Sequence, residues 1–232
     1  MDILVICQNV AKLWGKYWQL FLGQGLVVTL ELSLTTVFFG AIVGSFIALM
    51  KMSRFRLLRG VSGVYIELFR GTPILLQLYL GYFIVPSYLT FLNGLDVDAK
   101  KFISICIVLI LNSAAYVSEV IRAGIQAVDR GQTEAARSLG MTQGQTMLHI
   151  IIPQAVKNIL PALGNEFVMM IKETSLASTF FLGDLMTVSN TVGGITYLRI
   201  EPLLITGAVY LVLTVPLGKV IQFFEGRLHA GD

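Results

Sequence analysis

Five long apolar stretches dominate this sequence and restrict the folds that it can adopt. They cover roughly residues 26–50, 60–85, 102–122, 161–182 and 202–224. A helix rises about 1.5 Å per residue, so each stretch is long enough to cross about 30 Å of hydrocarbon. Backbone amides cannot bond to water inside a bilayer, and helices satisfy them internally. We therefore predict an all-α membrane protein with five transmembrane helices.

The composition supports a membrane protein and excludes several other classes. Only 13% of the 232 residues are charged, against about 25% in ordinary soluble domains. The net charge is +3, and the basic residues are spread over loops, so nothing indicates nucleic-acid binding. Cys7 and Cys106 are far apart in the sequence, with Cys106 inside an apolar run. Neither a disulfide framework nor a metal site is expected.

The basic residues of the predicted loops indicate an orientation. One side of the membrane would carry ten of them: Lys51, Arg54, Arg56, Arg59, Arg122, Arg130, Arg137, Lys157, Lys219 and Arg227. The other side would carry five: Lys12, Lys16, Lys100, Lys101 and Arg199. Because cytoplasmic loops are enriched in Lys and Arg, we expect the N-terminus outside and the C-terminus in the cytoplasm. The long loop at about residues 125–157 is then cytoplasmic.

The N-terminal segment, residues 1–25, differs from the rest. Its residues 8–22 place Trp14, Tyr17, Trp18 and Phe21 among polar positions, which is typical of an amphipathic helix lying in the outer membrane interface. No basic region precedes its apolar residues, so we expect no removable signal peptide. Residues 26–232 form the predicted transmembrane domain.

The long loop contains the pattern of two short helices joined at a glycine. Residues 132–139 are predicted to form the first helix, with Gly140 as the left-handed residue that ends it. Thr142 and Gln145 match a capping box that starts the second helix, which we expect to end at Pro153. The loop is predicted to be a compact, stiff protrusion. An ordinary amphipathic hairpin on the membrane surface is the alternative.

The loop sequence EAARSLGMTQGQTMLHIIIP resembles the EAA motif of ABC importer permeases, which inserts into an ATPase subunit. The matching residues are Glu134, Ala135, Ala136, Gly140, Ile150 and Pro153. Ile152 stands where the family usually has leucine. The resemblance implies a type I ABC importer architecture in which this coupling loop contacts the ATPase. Glu134 either makes that contact or pairs with Arg137 three residues later.

Polar residues interrupt the second and third apolar stretches. Glu67 and Arg70 can pair on one helix face, and residues 71–73 favour a break in the helix before Pro73. These residues serve either the transport path or a structural ion pair and kink. In the third stretch, four residues fall on one polar helical stripe: Asn112, Ser113, Tyr116 and Glu119. Tyr116 is either a ligand contact or a packing aromatic.

Two further patterns concern how the helices pack and break. Gly40 and Gly44 permit close contact of the first span with another helix, within the chain or in a dimer. In the fourth stretch, the polar residues from Lys172 to Ser175 predict a discontinuous helix whose second half begins at Thr174 or Ser175. Such a helix start would present its positive dipole to an anion.

The segments FRGTP, NSAAYVSEVIRAG, LGNEF and IKETSLAS are similar to those of permeases for polar amino acids. From that resemblance, Asn165 and Glu166 are the leading substrate-binding candidates. We hypothesise that Thr72, Gln77 and Thr174 bind the substrate carboxylate, and that Glu166, with Glu119 as a second candidate, binds its ammonium group. The remaining substrate-binding candidates are Ser113 and Tyr116. Structural or gating roles are expected for Glu67, Arg70, Pro73 and Lys172.

We therefore predict the permease subunit of an ATP-driven amino-acid importer. The pair Gly218-Lys219 lacks the rest of a P-loop, so the chain is not expected to be an enzyme. The resemblance implies a second permease subunit, identical or homologous, two ATPase subunits that bind ATP and magnesium, and an external amino-acid-binding protein. A secondary transporter or channel driven by an ion gradient is the main alternative. A membrane regulator that holds a cytoplasmic partner is the other.

Overall fold

The computed structural model describes residues 3–229, and these residues form helices and connecting turns without any strand. Residues 1–2 and 230–232, at the ends of the two predicted segments, lie outside the described residues. The helices are α1 (Ile3–Gln19), α2 (Leu26–Lys51), α3 (Arg56–Gly71), α4 (Ile74–Tyr88), α5 (Val97–Gln126), α6 (Arg130–Ser138), α7 (Gln143–Thr146), α8 (Ile152–Glu173), α9 (Leu185–Thr196) and α10 (Ile200–His229).

Three helical runs in the described part of the chain are long and apolar enough to cross a membrane. They are Ile3–Lys51, Val97–Gln126 and Ile200–Leu228, and the bent pair α3 and α4 adds a fourth if it forms one span. α8 contains the start of the fourth predicted stretch but is not among these runs. The chain is an all-helical membrane protein, and the count of five spans stays a prediction.

α1 and α2 form one continuous helical run. The six residues between them, Leu20–Gly25, form a π-helical turn in which Phe21 and Gly25 are buried. No loop separates the predicted N-terminal segment from the first span, so the boundary after residue 25 lies inside a helix. The interfacial position of α1 stays a prediction.

The second apolar stretch is broken at Pro73, where the sequence predicted a break. Thr72 is extended, with φ −119° and ψ 147°, and the axes of α3 and α4 differ by 109°. Proline disfavours the helical conformation of the preceding residue, so α3 ends at Gly71 and α4 starts after the proline. The predicted break before Pro73 is therefore confirmed.

The predicted helix start at Thr174 or Ser175 is wrong. The chain continues from α8 into a 3₁₀-helix, Thr174–Phe180, and the hydroxyl of Thr174 donates backwards to the carbonyl of Ile171 at 2.8 Å. The next helix, α9, begins only after Asp184, which is extended and accepts a hydrogen bond from the Met186 amide at 3.0 Å. Asp184 is therefore the N-cap, because its carboxylate bonds forward to the free amides of the first turn.

The residues group into two compact units. The first comprises residues 1–37, 74–109 and 167–217. Its main apolar core joins α1, α9 and α10 through buried side chains that include Leu13, Leu185 and Ile205. This core anchors α9 after the irregular segment that follows α8.

The second unit comprises residues 38–73, 110–166 and 218–232, and it contains most of the candidate site residues. Ile47, Ile66 and Ala114 form a buried apolar cluster there. These three residues come from α2, α3 and α5, so the cluster holds the three helices together.

Gly40 and Gly44 pack within the chain, against α5. A methyl carbon placed on Gly40 would stand 2.8 Å from the Ser113 hydroxyl, and one on Gly44 would stand 2.9 Å from the carbonyl oxygen of Ala114. Of the two contacts that the sequence left open, the structure contains the intramolecular one. The missing side chains let α2 and α5 approach closely.

We expect Gly44→Ala to destabilise the second unit. The new methyl would overlap backbone of α5, and overpacking of this kind lowers the free energy of unfolding by about 1–3 kcal/mol. Gly207→Ala is the matched control, because no atom lies within 4 Å of the added carbon on α10. Thermal unfolding of the two purified variants checks this. Equal midpoints would contradict the close packing of α2 on α5.

Candidate functional site

A buried carboxylate and a hydroxyl meet between α8 and α5. Glu166 is only 5% exposed, and Ser113 is fully buried. The Ser113 hydroxyl donates to Oε1 of Glu166 at 3.1 Å. A carboxylate in such a place is costly unless hydrogen-bond donors or a cation surround it. Glu166 is therefore well suited to bind a cationic group.

Asn165 and Glu166 differ in exposure. Asn165 is exposed while Glu166 is buried, since neighbouring residues of a helix point about 100° apart. Lys172, also on α8, is exposed. Of these three candidates on α8, only Glu166 faces the interior of the second unit.

Glu119 is already paired with two guanidinium groups. Arg122 donates to it through Nη2 at 2.7 Å and through Nε at 3.1 Å and 3.2 Å. Arg70 reaches it from α3 at 3.7 Å, and the same guanidinium lies 5.4 Å from the ring centroid of Tyr116. The charge of Glu119 is thus largely balanced within the protein, which weakens its case as an ammonium ligand.

The intrahelical pair predicted for Glu67 and Arg70 is absent from the ion pairs of residues 3–229. Arg70 pairs instead with Glu119 on α5. The side chain of Glu119 is 20% exposed, whereas Glu67 is an exposed residue. An ion pair of Arg70 with the less hydrated Glu119 is electrostatically stronger than one with the exposed Glu67.

The predicted polar stripe of α5 faces α3 and α8. The amide of Asn112 donates to the Phe69 carbonyl at 3.4 Å, next to the Ser113 contact with α8. A cavity of about 610 Å³ lies beside the Glu119 cluster. We call it the basic cavity; its charged lining residues are Lys51, Arg59, Glu67, Arg70, Glu119 and Arg122.

The three residues proposed to bind a substrate carboxylate differ in their exposure and in the unit to which they belong. Thr72 is exposed in the second unit and donates to the Leu68 carbonyl at 2.8 Å. Gln77 and Thr174 are buried in the first unit. Because α8 passes directly into the 3₁₀-helix at Thr174, with Glu173 in a right-handed helical conformation, no free helix start is available there for an anion.

The first helix of the loop, predicted over residues 132–139, is α6, Arg130–Ser138. Asp129 caps α6 by accepting from the Gly131 amide at 2.6 Å. At the other end Gly140 has φ 84°, its amide donates to the Arg137 carbonyl at 3.1 Å, and the Met141 amide donates to the Ala136 carbonyl at 3.2 Å. These two bonds form a Schellman motif, which requires the left-handed conformation at Gly140.

The second helix starts as predicted but does not end at Pro153. Thr142 and Gln145 form a complete capping box at the start of α7. A π-helical turn, Met147–Ile151, then leads directly into α8, whose second residue is Pro153. Proline is tolerated here because the π-helical turn directly before it already interrupts the i→i−4 hydrogen-bond pattern that its missing amide would continue. The predicted end at Pro153 is therefore wrong.

The residues matched to the EAA motif are mostly accessible. Glu134, Ala135, Gly140 and Pro153 are exposed, Ile150 is half-buried and Ala136 is buried. Ala136 thus packs inside the loop. Leu139 was not singled out from the sequence, yet it is 85% exposed at the tip. Its position directly before the ending glycine is the feature that could have identified it.

Arg54 and Arg122 each make a specific side-chain contact. Arg54 donates to the side-chain oxygen of Gln143 at 2.6 Å and so ties the turn before α3 to α7. Arg122 clamps Glu119. In the sequence both residues indicated only the orientation of the chain, although Glu119 and Arg122 have the three-residue spacing of a helical ion pair.

Comparison with known proteins gives a consistent set of similarities. Residues 37–230 match the family model described as a binding-protein-dependent transport system inner membrane component. The chain is 41% identical over 212 residues to the arginine transport system permease protein ArtQ of Bacillus subtilis, covering 91% of this chain and 94% of that protein. It is 40% identical over 209 residues to the putative glutamine transport system permease protein GlnP of Rickettsia bellii, covering 90% and 93%.

Solved structures are similar as well. One is the crystal structure of an amino acid ABC transporter with histidines, with TM-score 0.83 and 44% identity over 98% of this chain and 99% of that one. An inward-facing MetNI methionine ABC transporter has TM-score 0.66 and 19% identity over 92% and 96%. At that identity the second likeness concerns the fold alone.

Proposed function

This chain belongs to the family of binding-protein-dependent transport system inner membrane components, and on that premise we propose how it couples ATP hydrolysis to amino-acid uptake. It is the permease subunit of an ABC amino-acid importer, and it has the type I ABC importer permease fold. It is a multi-pass inner membrane protein. The gradient-driven transporter and the membrane regulator are set aside by this membership.

The coupling loop is proposed to dock into an ATP-binding subunit. The structure of the loop supports this proposal most directly. A Schellman motif and a capping box join α6 to α7, and Leu139 is exposed at the turn between them. Short helices locked at both ends transmit force better than a flexible loop. The accessible residues Glu134, Ala135, Gly140 and Pro153 would form or support the contact surface.

Five spans with a cytoplasmic coupling loop complete the proposed topology. The C-terminus would then be cytoplasmic and the N-terminus external, as the distribution of basic residues suggests. α3 and α4 together would form one bent span, and α8 would form the fourth. α1 would lie at the outer interface.

The proposed assembly contains two permease subunits, this chain with an identical or homologous copy, above two ATP-binding subunits. ATP and magnesium would be held by the ATP-binding subunits, and an external binding protein would deliver the amino acid. Membership of the family implies the permease partner and the ATP-binding subunits. ATP-driven closure would move the coupling loops together and shift the permeases between inward-facing and outward-facing states.

The proposed substrate is a polar amino acid bound in part by Glu166. Relatives are named for arginine, glutamine, and glutamate and aspartate transport. These compounds differ in side-chain charge but share an ammonium group next to a carboxylate. A buried carboxylate supported by Ser113 is suited to that shared ammonium group. Thr72, Gln77 and Thr174 stay candidates for the carboxylate side.

Reconstitution tests the proposed function directly. We expect proteoliposomes that contain this chain, its ATP-binding subunit and its binding protein to accumulate a radiolabelled polar amino acid when ATP and magnesium are enclosed. Omitting the binding protein or the nucleotide should abolish uptake. Accumulation driven by a proton or sodium gradient without nucleotide would overturn the proposal.

A further inference from the structure

The basic cavity carries more positive than negative charge. The ends of α2 and α5 and one face of α3 line it. Four of its lining residues are basic and two are acidic, as named above. The excess positive charge within one cavity favours the binding of an anion.

The excess charge belongs to Lys51 and Arg59. Arg122 and Arg70 both pair with Glu119, and Nη1 of Arg122 also donates to Gln126 at 2.6 Å. Neither Lys51 nor Arg59 takes part in an ion pair among residues 3–229, and Lys51 acts on Glu119 only at longer range. These two side chains can therefore donate to a bound anion without first losing an ion-pair partner.

Gly63 provides the space that seats Lys51 over α3. A methyl carbon on Gly63 would lie 2.9 Å from the Lys51 ammonium nitrogen. Because Gly63 is buried and itself lines the cavity, the ammonium group lies at the cavity wall. α3 begins nearby at Arg56 with no acidic residue in its first turn. With Glu67 and Glu119 as its acidic lining residues, the charged lining of the cavity still sums to +2.

The opposite face of α3 is apolar and exposed. Leu57, Val61, Val64 and Leu68 are 77%, 53%, 66% and 55% exposed and recur at helical spacing. One helix thus presents a charged cavity on one face and an apolar stripe on the other. The cavity also lies at the basic end of α2, a helix of membrane-spanning length. This combination matches a ligand with an anionic head and hydrocarbon chains.

We propose that the basic cavity binds the phosphate of an anionic phospholipid, with Lys51 and Arg59 donating to the phosphate oxygens and the acyl chains extending into the bilayer that the apolar stripe of α3 faces. Basic pockets between membrane helices are suited to such headgroups, and a guanidinium binds phosphate through two parallel hydrogen bonds. The proposal concerns the membrane fold and does not depend on which amino acid is transported.

Lipid retention by the purified full-length protein tests the site. The protein, with any subunits that co-purify, would be incubated with phosphatidylglycerol or with phosphatidylcholine and examined by native mass spectrometry. We expect Lys51→Gln with Arg59→Gln to weaken phosphatidylglycerol binding about 25-fold, at about fivefold for each basic group. The matched control is Lys219→Gln with Arg227→Gln, which removes two exposed basic residues from α10 and should retain the lipid.

A charge-preserving variant and two further ligands complete the test. Lys51→Arg with Arg59→Lys preserves the charge and should restore binding even if the neutral variant folds poorly. Equal binding of phosphatidylglycerol by wild type and a folded neutral variant would overturn the proposal. Equal retention of phosphatidylcholine and phosphatidylglycerol by the wild-type protein would also overturn it. If inorganic phosphate at millimolar concentration binds alone and displaces the lipid completely, the site is a free phosphate site and the lipid proposal is wrong.

Discussion

Replacing Glu166 with glutamine is expected to lower amino-acid uptake about tenfold to a hundredfold at low substrate concentration. Glutamine keeps the volume of the side chain and can still accept from the Ser113 hydroxyl, but it loses the negative charge. Hydrogen bonds to a charged group are stronger than neutral ones, and burial of Glu166 reduces competition from water. The loss should therefore appear mainly as weaker substrate affinity.

Uptake by proteoliposomes and substrate-stimulated ATP hydrolysis would be measured together over a range of substrate concentrations. Glu225→Gln is the control, because it removes the same charge from an exposed position on α10. Ser113→Ala should have a smaller effect than Glu166→Gln, since it removes one supporting hydrogen bond and leaves the carboxylate. Unchanged substrate affinity in Glu166→Gln would remove this residue from the binding site.

The second large effect is expected from Gly140→Val. The left-handed conformation of Gly140, with φ 84°, costs an ordinary residue about 1–2 kcal/mol, which lowers the population of the native turn about fivefold to thirtyfold. A β-branched side chain suffers more than most. We expect the variant either to hydrolyse ATP without matching uptake or to lose the ATP-binding subunit during purification.

Gly144→Val is the matched control for this substitution. Gly144 is also exposed in the coupling loop, but it lies in α7, has no positive φ and has no atom within 4 Å of an added carbon. Gly140→Asn should recover part of the activity, because asparagine tolerates the left-handed region. Normal uptake per ATP hydrolysed in Gly140→Val would show that the shape of this turn is not needed for coupling.

The features that the sequence predicted correctly depend on local chemistry. Gly140, the capping box at Thr142 and the break before Pro73 each follow from the backbone preferences of a few adjacent residues. Local rules of this kind act in the same way in any fold. The family was identifiable for a related reason, since the coupling loop is a contiguous segment.

The errors arose where distant contacts or neighbouring turns decide the outcome. Arg70 had two carboxylates within reach, and only the packing of α3 on α5 places Glu119 closer. The start of α9 was misplaced because Thr174 bonds backwards to Ile171, while Asp184, ten residues later, caps the helix. Pro153 did not end its helix because the π-helical turn directly before it already interrupts the regular hydrogen-bond pattern. The substrate contacts depend on the same distant packing and stay predictions.

The hydrogen bond from Arg54 to Gln143 has a mechanical consequence. Arg54 lies two residues before α3 begins, and Gln143 is the first residue of α7. A pull on α7 would therefore act on the base of α3, about 24 Å along a straight helix from its far end. That far end is the corner at Pro73, so a small tilt at the base becomes a larger sideways displacement there. The largest displacement is therefore expected at Pro73.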